Sequence, residues 1–320
     1  MILSTKEDLK KYISIADNFE FDSFALYVTK AINSYTNQYV GNLHVTLKDA
    51  TVDTEPNASI LNEAREHLRS AIANFGYFLF TPYNSVTMDS SGMANIQNEQ
   101  RKNIEWWQLN DIRRELLRSG HESMDLLLEI LEANPTVFID WTAKFGAQSK
   151  KLLVHNTTEF QKGYNIFNSR QTFLALLPAI SQVEDQYVNN YLCKELLLAL
   201  KANPNNDNLI LLKEYLQKAI VHFTIAKVYD EGIFNLDASG IKLKFDTLPN
   251  ETIKAIDYGK QVDQLNRAIK KNIDNGTNYM ALAKQLILDN PNDFNQCDNP
   301  LATKTPKKFE VYNKKGIVGI

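Results

Sequence analysis

The sequence predicts a mainly α fold: a helical-bundle unit with one β-hairpin, built twice in tandem and followed by an extended C-terminal arm. Two observations carry this. The first is internal repetition, which decides architecture before any local pattern does. H-L-R-S-A-I-A-N-F (His67 to Phe75) lines up with Y-L-Q-K-A-I-V-H-F (Tyr215 to Phe223). At the same offset, V-T-M-D-S-S-G-M (Val86 to Met93) lines up with F-N-L-D-A-S-G-I (Phe234 to Ile241). Leu68/Leu216, Ala71/Ala219, Ile72/Ile220, Phe75/Phe223, Asp89/Asp237, Ser91/Ser239 and Gly92/Gly240 coincide without a gap. Later, S-M-D-L-L-L-E-I-L-E-A-N-P (Ser123 to Pro135) answers N-Y-M-A-L-A-K-Q-L-I-L-D-N-P (Asn278 to Pro291) at a larger offset, as a loop insertion produces. The second observation is apolar spacing at i, i+3 and i+4 over most of each copy. It is interrupted once per copy, at the same place, by alternating residues around an Asp-x-Ser-Gly turn. The units are residues 1–147 and 148–296; the tail, 297–320, has no counterpart.

In order along the first unit, Thr5 or Ser4 caps a short helix from Lys6 to about Ala16. A second helix runs from about Phe21 to Tyr39, with Phe24, Val28, Ala31, Ile32 and Tyr35 on one stripe. A third is capped by Asn57 and carries Leu61, Ala64, Leu68, Ala71, Ile72 and Phe75 at helical spacing. T-P-Y-N (Thr81 to Asn84) stops it. V-T-M-D-S-S-G-M-A-N-I then reads as a β-hairpin, with Asp and Ser entering the turn and Gly supplying a positive φ. A helix from about Glu99 to Ser119 is broken by Gly120, and a last helix, about Glu122 to Ala133, ends at Asn134-Pro135. The second unit repeats this order, with helices near 157–167, 170–199, 207–228, 251–273 and 276–289 and a hairpin at 233–245.

Composition narrows the function classes. The 320 residues are 44% hydrophobic and 23% charged, which is ordinary for globular chains. Net charge is −3, without the basic excess expected of a protein that wraps duplex DNA. Cys193 and Cys297 form no CxxC, so neither a disulfide framework nor a zinc signature is expected, and both read as reduced thiols in the cytosol. The N-terminus has no apolar leader segment, and F-G-Y-F-L-F (Phe75 to Phe80) is too short to span a bilayer.

No constellation of catalytic residues emerges, so the expectation is no enzyme, no cofactor and no metal. Ser90 in the first copy is Ala238 in the second, while Asp, Ser91/Ser239 and Gly persist; these are the residues a turn needs. A nucleophile elbow needs G-x-S-x-G between strand and helix, and neither copy has it. The five histidines, His44, His67, His121, His155 and His222, form no HxH, HxxxH or HExxH, and none is shared between copies. Carboxylates lie along charged helical faces such as E-A-R-E-H-L-R (Glu63 to Arg69). GxxxxGK[ST] and GxGxxG are both missing. What remains are candidate protein contacts. These are the two turns (Asp89, Ser91, Gly92; Asp237, Ser239, Gly240), one of the adjacent pair Trp106-Trp107, and the tail. One tryptophan is expected to pack inward and the other, Trp107, to sit at the interface between units or meet a partner. The tail, with Lys307, Lys308, Phe309, Val311 and Tyr312, reads either as a disordered, solvated end or as a basic, strand-like arm suited to strand addition.

L-R-S-A-I-A-N-F-G-Y followed by N-S-V-T-M-D-S-S-G-M, with the later W-W-Q-L-N-D-I-R-R-E-L-L, resembles a family of uncharacterised structural proteins of tailed phages and prophages of Bacteroidetes. The resemblance covers most of the chain and implies a role in the virion neck, similar to head–tail connector adaptors. It implies a homo-oligomeric, twelve-fold ring on the portal protein, bridging to tail or further neck proteins. Non-specific contact with DNA in the lumen, no membrane, and assembly in the host cytoplasm belong to the same expectation. The doubled unit departs from single-domain adaptors, and no catalytic residue comes with the resemblance. The competing expectation is a non-viral helical protein-binding adaptor in a bacterial complex, with one concave ligand face.

Overall fold

A computed structural model describes residues 2–49, 57–84, 86–89, 92–95, 105–202, 204–231, 234–237, 240–243 and 258–301. The fold is mainly helical and forms two compact units. The first takes in Met1–Ala147 together with Ser169–Leu174; Gln148–Asn168 and Ala175–Leu243 belong to the second.

In the first unit, Thr5 caps α1 (Lys6–Lys10), its side chain accepting from the Asp8 amide. The helix is shorter than the expected run to Ala16. α2 (Phe21–Ala31) continues through a π-helical turn (Ile32–Thr36) into α3 (Asn37–Val40) and ends at Gly41, whose φ of 56° few other residues adopt. After α4 (Leu43–Asp49) comes α5 (Ala58–Asn84), the centre of the unit. Its predicted stripe is buried at Ala64, Leu68, Ala71, Ile72 and Phe75. Around its middle, Ala71 to Gly76, burial extends to every face, because α2, α4 and the long helix Trp106–Ala133 pack about it.

α5 ends at Asn84, within the expected T-P-Y-N stop, with Pro82 inside its last turn and Thr81 donating its hydroxyl to the Tyr77 carbonyl at 2.6 Å. One expected break is absent: Gly120 does not end a helix. α6 (Trp106–Ala133) is continuous through it. A Cβ at Gly120 would lie 2.6 Å from the edge of the Phe75 ring, so glycine is there for close helix approach. The second unit has the same design. α13 (Tyr258–Asp289) is continuous through Gly276, where a Cβ would come within 2.7 Å of Phe223 on α12 (Asp207–Asp230). Each phenylalanine is also covered by a tyrosine from a π-helical turn. Tyr35 stacks on Phe75 at 4.3 Å, and Tyr187 on Phe223 at 4.4 Å. Both α6 and α13 end at an Asn-Pro pair, with Asn134 (φ −125°, ψ 58°) and Asn290 (φ −129°, ψ 57°) in the same conformation.

The second unit opens with α9 (Thr157–Gln161), after the short α7 (Ile139–Trp141) and α8 (Ala147–Ser149). Asn156 caps α9 as Thr5 caps α1. The expected helix 170–199 is divided. α10 (Arg170–Val183) passes into a π-helical turn (Glu184–Val188), and α11 (Lys194–Lys201) starts after Cys193. Between the long helices of each unit the backbone forms short antiparallel ladders. β1 (Val86–Asp89) pairs with β2 (Gly92–Asn95), and β3 (Phe234–Asp237) with β4 (Gly240–Leu243), with Asp89 opposite Gly92 and Asp237 opposite Gly240.

Candidate functional site

Of the expected contact residues, Asp89, Gly92, Asp237 and Gly240 close the inner ends of these ladders. Ser91 and Ser239 lie outside the described residues, as do Lys307, Lys308, Phe309, Val311 and Tyr312.

The tryptophan expectation needs correction. Both Trp106 and Trp107 are exposed, at 63% and 62%. The buried side of α6 begins only at Asn110, so the first turn lies outside the packed stretch. It is closed by a capping box, with the Glu105 side chain accepting from the Gln108 amide and the Gln108 side chain accepting from the Glu105 amide. Trp141 is the tryptophan that packs inward, its indole N–H donating to the Tyr39 carbonyl at 3.0 Å.

Sequence reasoning missed the polar stitches. On α6, His121, Asp125, Glu129 and Glu132 share one face and hold Ser169–Gln171 within the first unit. Asp125 accepts from the Gln171 amide at 2.9 Å and also bonds the Arg170 backbone and the Ser169 side chain. The Gln171 side chain donates to the His121 carbonyl and bonds its ring, both at 2.9 Å. Arg170, with a side chain 8% exposed, pairs with Glu129 at 3.1 Å and Glu132 at 3.2 Å. Burial pushes the Asp125 and Glu132 carboxyls above their ordinary range, and the partners named here pull them part of the way back. Asp125, Glu132 and Arg170 in this cluster are all bonded to protein groups, and those bonds hold the Ser169–Gln171 stretch.

In the second unit, Glu184 is buried in the π-helical turn. It accepts the Leu153 amide at 2.7 Å and pairs with Lys201. Lys201 also donates to the Lys151 carbonyl, and Gln217 donates to the Leu153 carbonyl at 2.8 Å. The segment entering this unit is thereby fixed on both its N–H and C=O sides.

The cysteine expectation is also overturned. Cys193 and Cys297 are joined in a disulfide across 104 residues. The start of the expected free arm is therefore docked on the second unit. Leu301 bridges Leu192, and the Cys193 amide donates to the Pro300 carbonyl at 3.1 Å. Glu195 lies beside the pair, its carboxylate and both sulfurs within 4.8 Å of one another. No spacing rule finds such a group, because the cysteines are far apart in sequence. Among the described residues, no helix is long and apolar enough to cross a membrane.

No curated protein and no solved structure matches the chain. A family model does match, twice, over residues 27–151 and 176–307, so the family's unit occurs two times in one polypeptide. With most of its length matched in this way, the chain belongs to DUF6712, a family of unknown function.

Proposed function

We propose that this protein is a structural adaptor of a tailed-phage neck. It assembles head to tail into a ring on the portal and bridges to the tail. It works by contact rather than by chemistry, inside the virion, after assembly in the host cytoplasm. The observation that supports this reading is the repeated unit itself. Each copy joins its two longest helices through a short two-stranded ladder, at the same place relative to the buried phenylalanine. Two strands alone bury too little to be stable in water, and they suit pairing with a neighbour as hairpin arms. Repetition supplies two such arms per chain, and a heterologous surface closes into a ring when its rotation allows. The exposed Trp106-Trp107 pair is the anchor for a partner, since large aromatics dominate interface energies.

The test mixes purified full-length chain with the portal protein encoded in the same genome, followed by light scattering and electron microscopy. Rings of this chain seated on the portal are expected. A discrete monomer that never joins portal assemblies refutes the reading and favours a non-viral binding module.

A further inference from the structure

The corner formed by Cys193, Glu195 and Cys297 serves neither unit's core. Glu195 is exposed, and both cysteines are partly so. Three features make it more than a crosslink. First, the two chain segments are held together by the backbone as well as by sulfur, through the Leu192–Leu301 bridge and the Cys193 N–H to Pro300 bond. Second, Cys193 is the N-cap of the eight-residue helix α11, so its backbone is held by the start of the helix that also carries Glu195. Third, the Glu195 carboxylate already lies within 4.8 Å of both sulfurs. A tetrahedral zinc-like ion with metal–sulfur bonds of about 2.3 Å holds its sulfurs about 3.8 Å apart. The Cα atoms here are 6.9 Å apart, so side-chain rotation alone can open that gap.

We propose that reduction turns this corner into a site for a thiophilic divalent cation of the zinc class. Two thiolates and the Glu195 carboxylate bind it, and water takes the fourth position. The chemistry balances. A dithiol reductant passes two electrons and two protons to the disulfide, giving two thiols, and itself becomes a disulfide. The cation then displaces both thiol protons to solvent as two metal–sulfur bonds form.

The test reduces the full chain with a phosphine, whose oxide takes its oxygen from water, and titrates it with cobalt(II) and then zinc(II). The reduced chain is expected to take up one cobalt, with thiolate-to-metal absorption and the intense visible bands of a tetrahedral site, and to lose both to zinc. The oxidised chain shows neither. Cys297→Ser lowers affinity a hundredfold or more, and Glu195→Gln about tenfold. Far-ultraviolet circular dichroism of each species accompanies the titration. A reduced chain that stays helical without binding, or a Cys297→Ser chain that binds like the parent, overturns the site. Equal affinity in Glu195→Gln overturns the carboxylate ligand. Loss of helix on reduction overturns the claim that the backbone holds the thiols in place.

Discussion

Replacing Gly120 by alanine sets two known effects against each other. In an exposed helix interior, alanine is about 1 kcal/mol better than glycine. At position 120, however, the new Cβ would sit 2.6, 2.8 and 2.9 Å from three edge carbons of Phe75, where carbon contacts are normally about 3.5–4.0 Å. The ring has little room to yield. It is fully buried, Tyr35 lies flat on it at 4.3 Å, and His121 meets it edge-on at 5.0 Å. Relief requires an off-rotamer ring or separation of α5 from α6, and such overpacking costs about 1–3 kcal/mol. Clash outweighs propensity, leaving a net loss of up to about 2 kcal/mol. For a unit of this size that lowers Tm by up to roughly 6 °C. The assay is thermal and urea unfolding followed by circular dichroism. Gly146→Ala is the control: its nearest neighbour would be 3.5 Å away, an ordinary contact, so Tm should hold or rise. Shrinking the ring with Phe75→Leu should rescue part of the Gly120→Ala loss, giving a coupling of about 0.5–3 kcal/mol. If Gly120→Ala instead raises Tm as a simple helix substitution would, the close-approach argument fails, and with it the account of why α6 is unbroken.

The same logic makes Gly276→Ala destabilising through Phe223, and an unfolding midpoint equal to that of the parent would contradict it. Glu184→Ala leaves the Leu153 amide without its acceptor and Lys201 with only the Lys151 carbonyl, and should cost about 1–3 kcal/mol in urea unfolding. Glu184→Gln keeps an acceptor for Leu153 and should cost clearly less, so equal losses would show that the amide bond contributes nothing. Burial holds Asp125 and Glu132 above the ordinary carboxylate values near 4, so over that window the folded chain binds protons the unfolded chain has released. Their contribution to stability is full below about pH 4 and is lost as pH rises through the raised native values. Asp125→Asn should therefore flatten the fall in stability with pH above 4, and an unchanged slope refutes the assignment. Trp106→Ala and Trp107→Ala should move stability by no more than about 0.5 kcal/mol, because both side chains are exposed. The double variant should weaken portal association at least tenfold, and unaltered association removes the tryptophans from the proposed interface.

Much of the architecture was legible because the repeat is written in residues that pack. Leu68/Leu216, Ala71/Ala219, Ile72/Ile220 and Phe75/Phe223 align in sequence, and all eight are buried. Thr5 and the Asn-Pro pairs are local signals, and they act locally. What failed was every inference about a residue whose reason lies on another element. Gly120 reads as a breaker when only its own helix is considered; its purpose is the ring on α5. The signal for it was available in a second glycine, Gly276, at the matching place in the other copy. Trp106 and Trp107 read as partly internal because aromatics usually are, yet their turn precedes the packed stretch of α6. Asp125 and Arg170, or Cys193 and Cys297, are polar or reactive residues distant in sequence, and no periodicity relates them.

The two copies also differ in an informative way. Their apolar centres use the same solution: a tyrosine flat on a phenylalanine, and a glycine at its edge. Their polar stitches agree only in part. In both, the central helix holds the entering segment by a carbonyl, Arg69 donating to Ile2 at 3.0 Å and Gln217 to Leu153 at 2.8 Å. The first unit also holds Ser169–Gln171 through Asp125, Glu129 and Glu132, and the matching face of α13 carries Ala281, Gln285 and Leu288 instead. The second unit adds the buried Glu184 with Lys201. Close packing ties the apolar positions to one another, since a change in any one forces a gap or a clash. A polar stitch depends on only a few partners and can be replaced as a set. After duplication, then, the core sets the fold of both copies, while the polar faces are where the copies become different. A chain with one fold twice and two different outer faces can meet two different neighbours through equivalent elements. That is what an adaptor between unlike layers requires, and Leu288, exposed on α13 at 56% where the first copy has Glu132, marks where the second copy's face has become apolar.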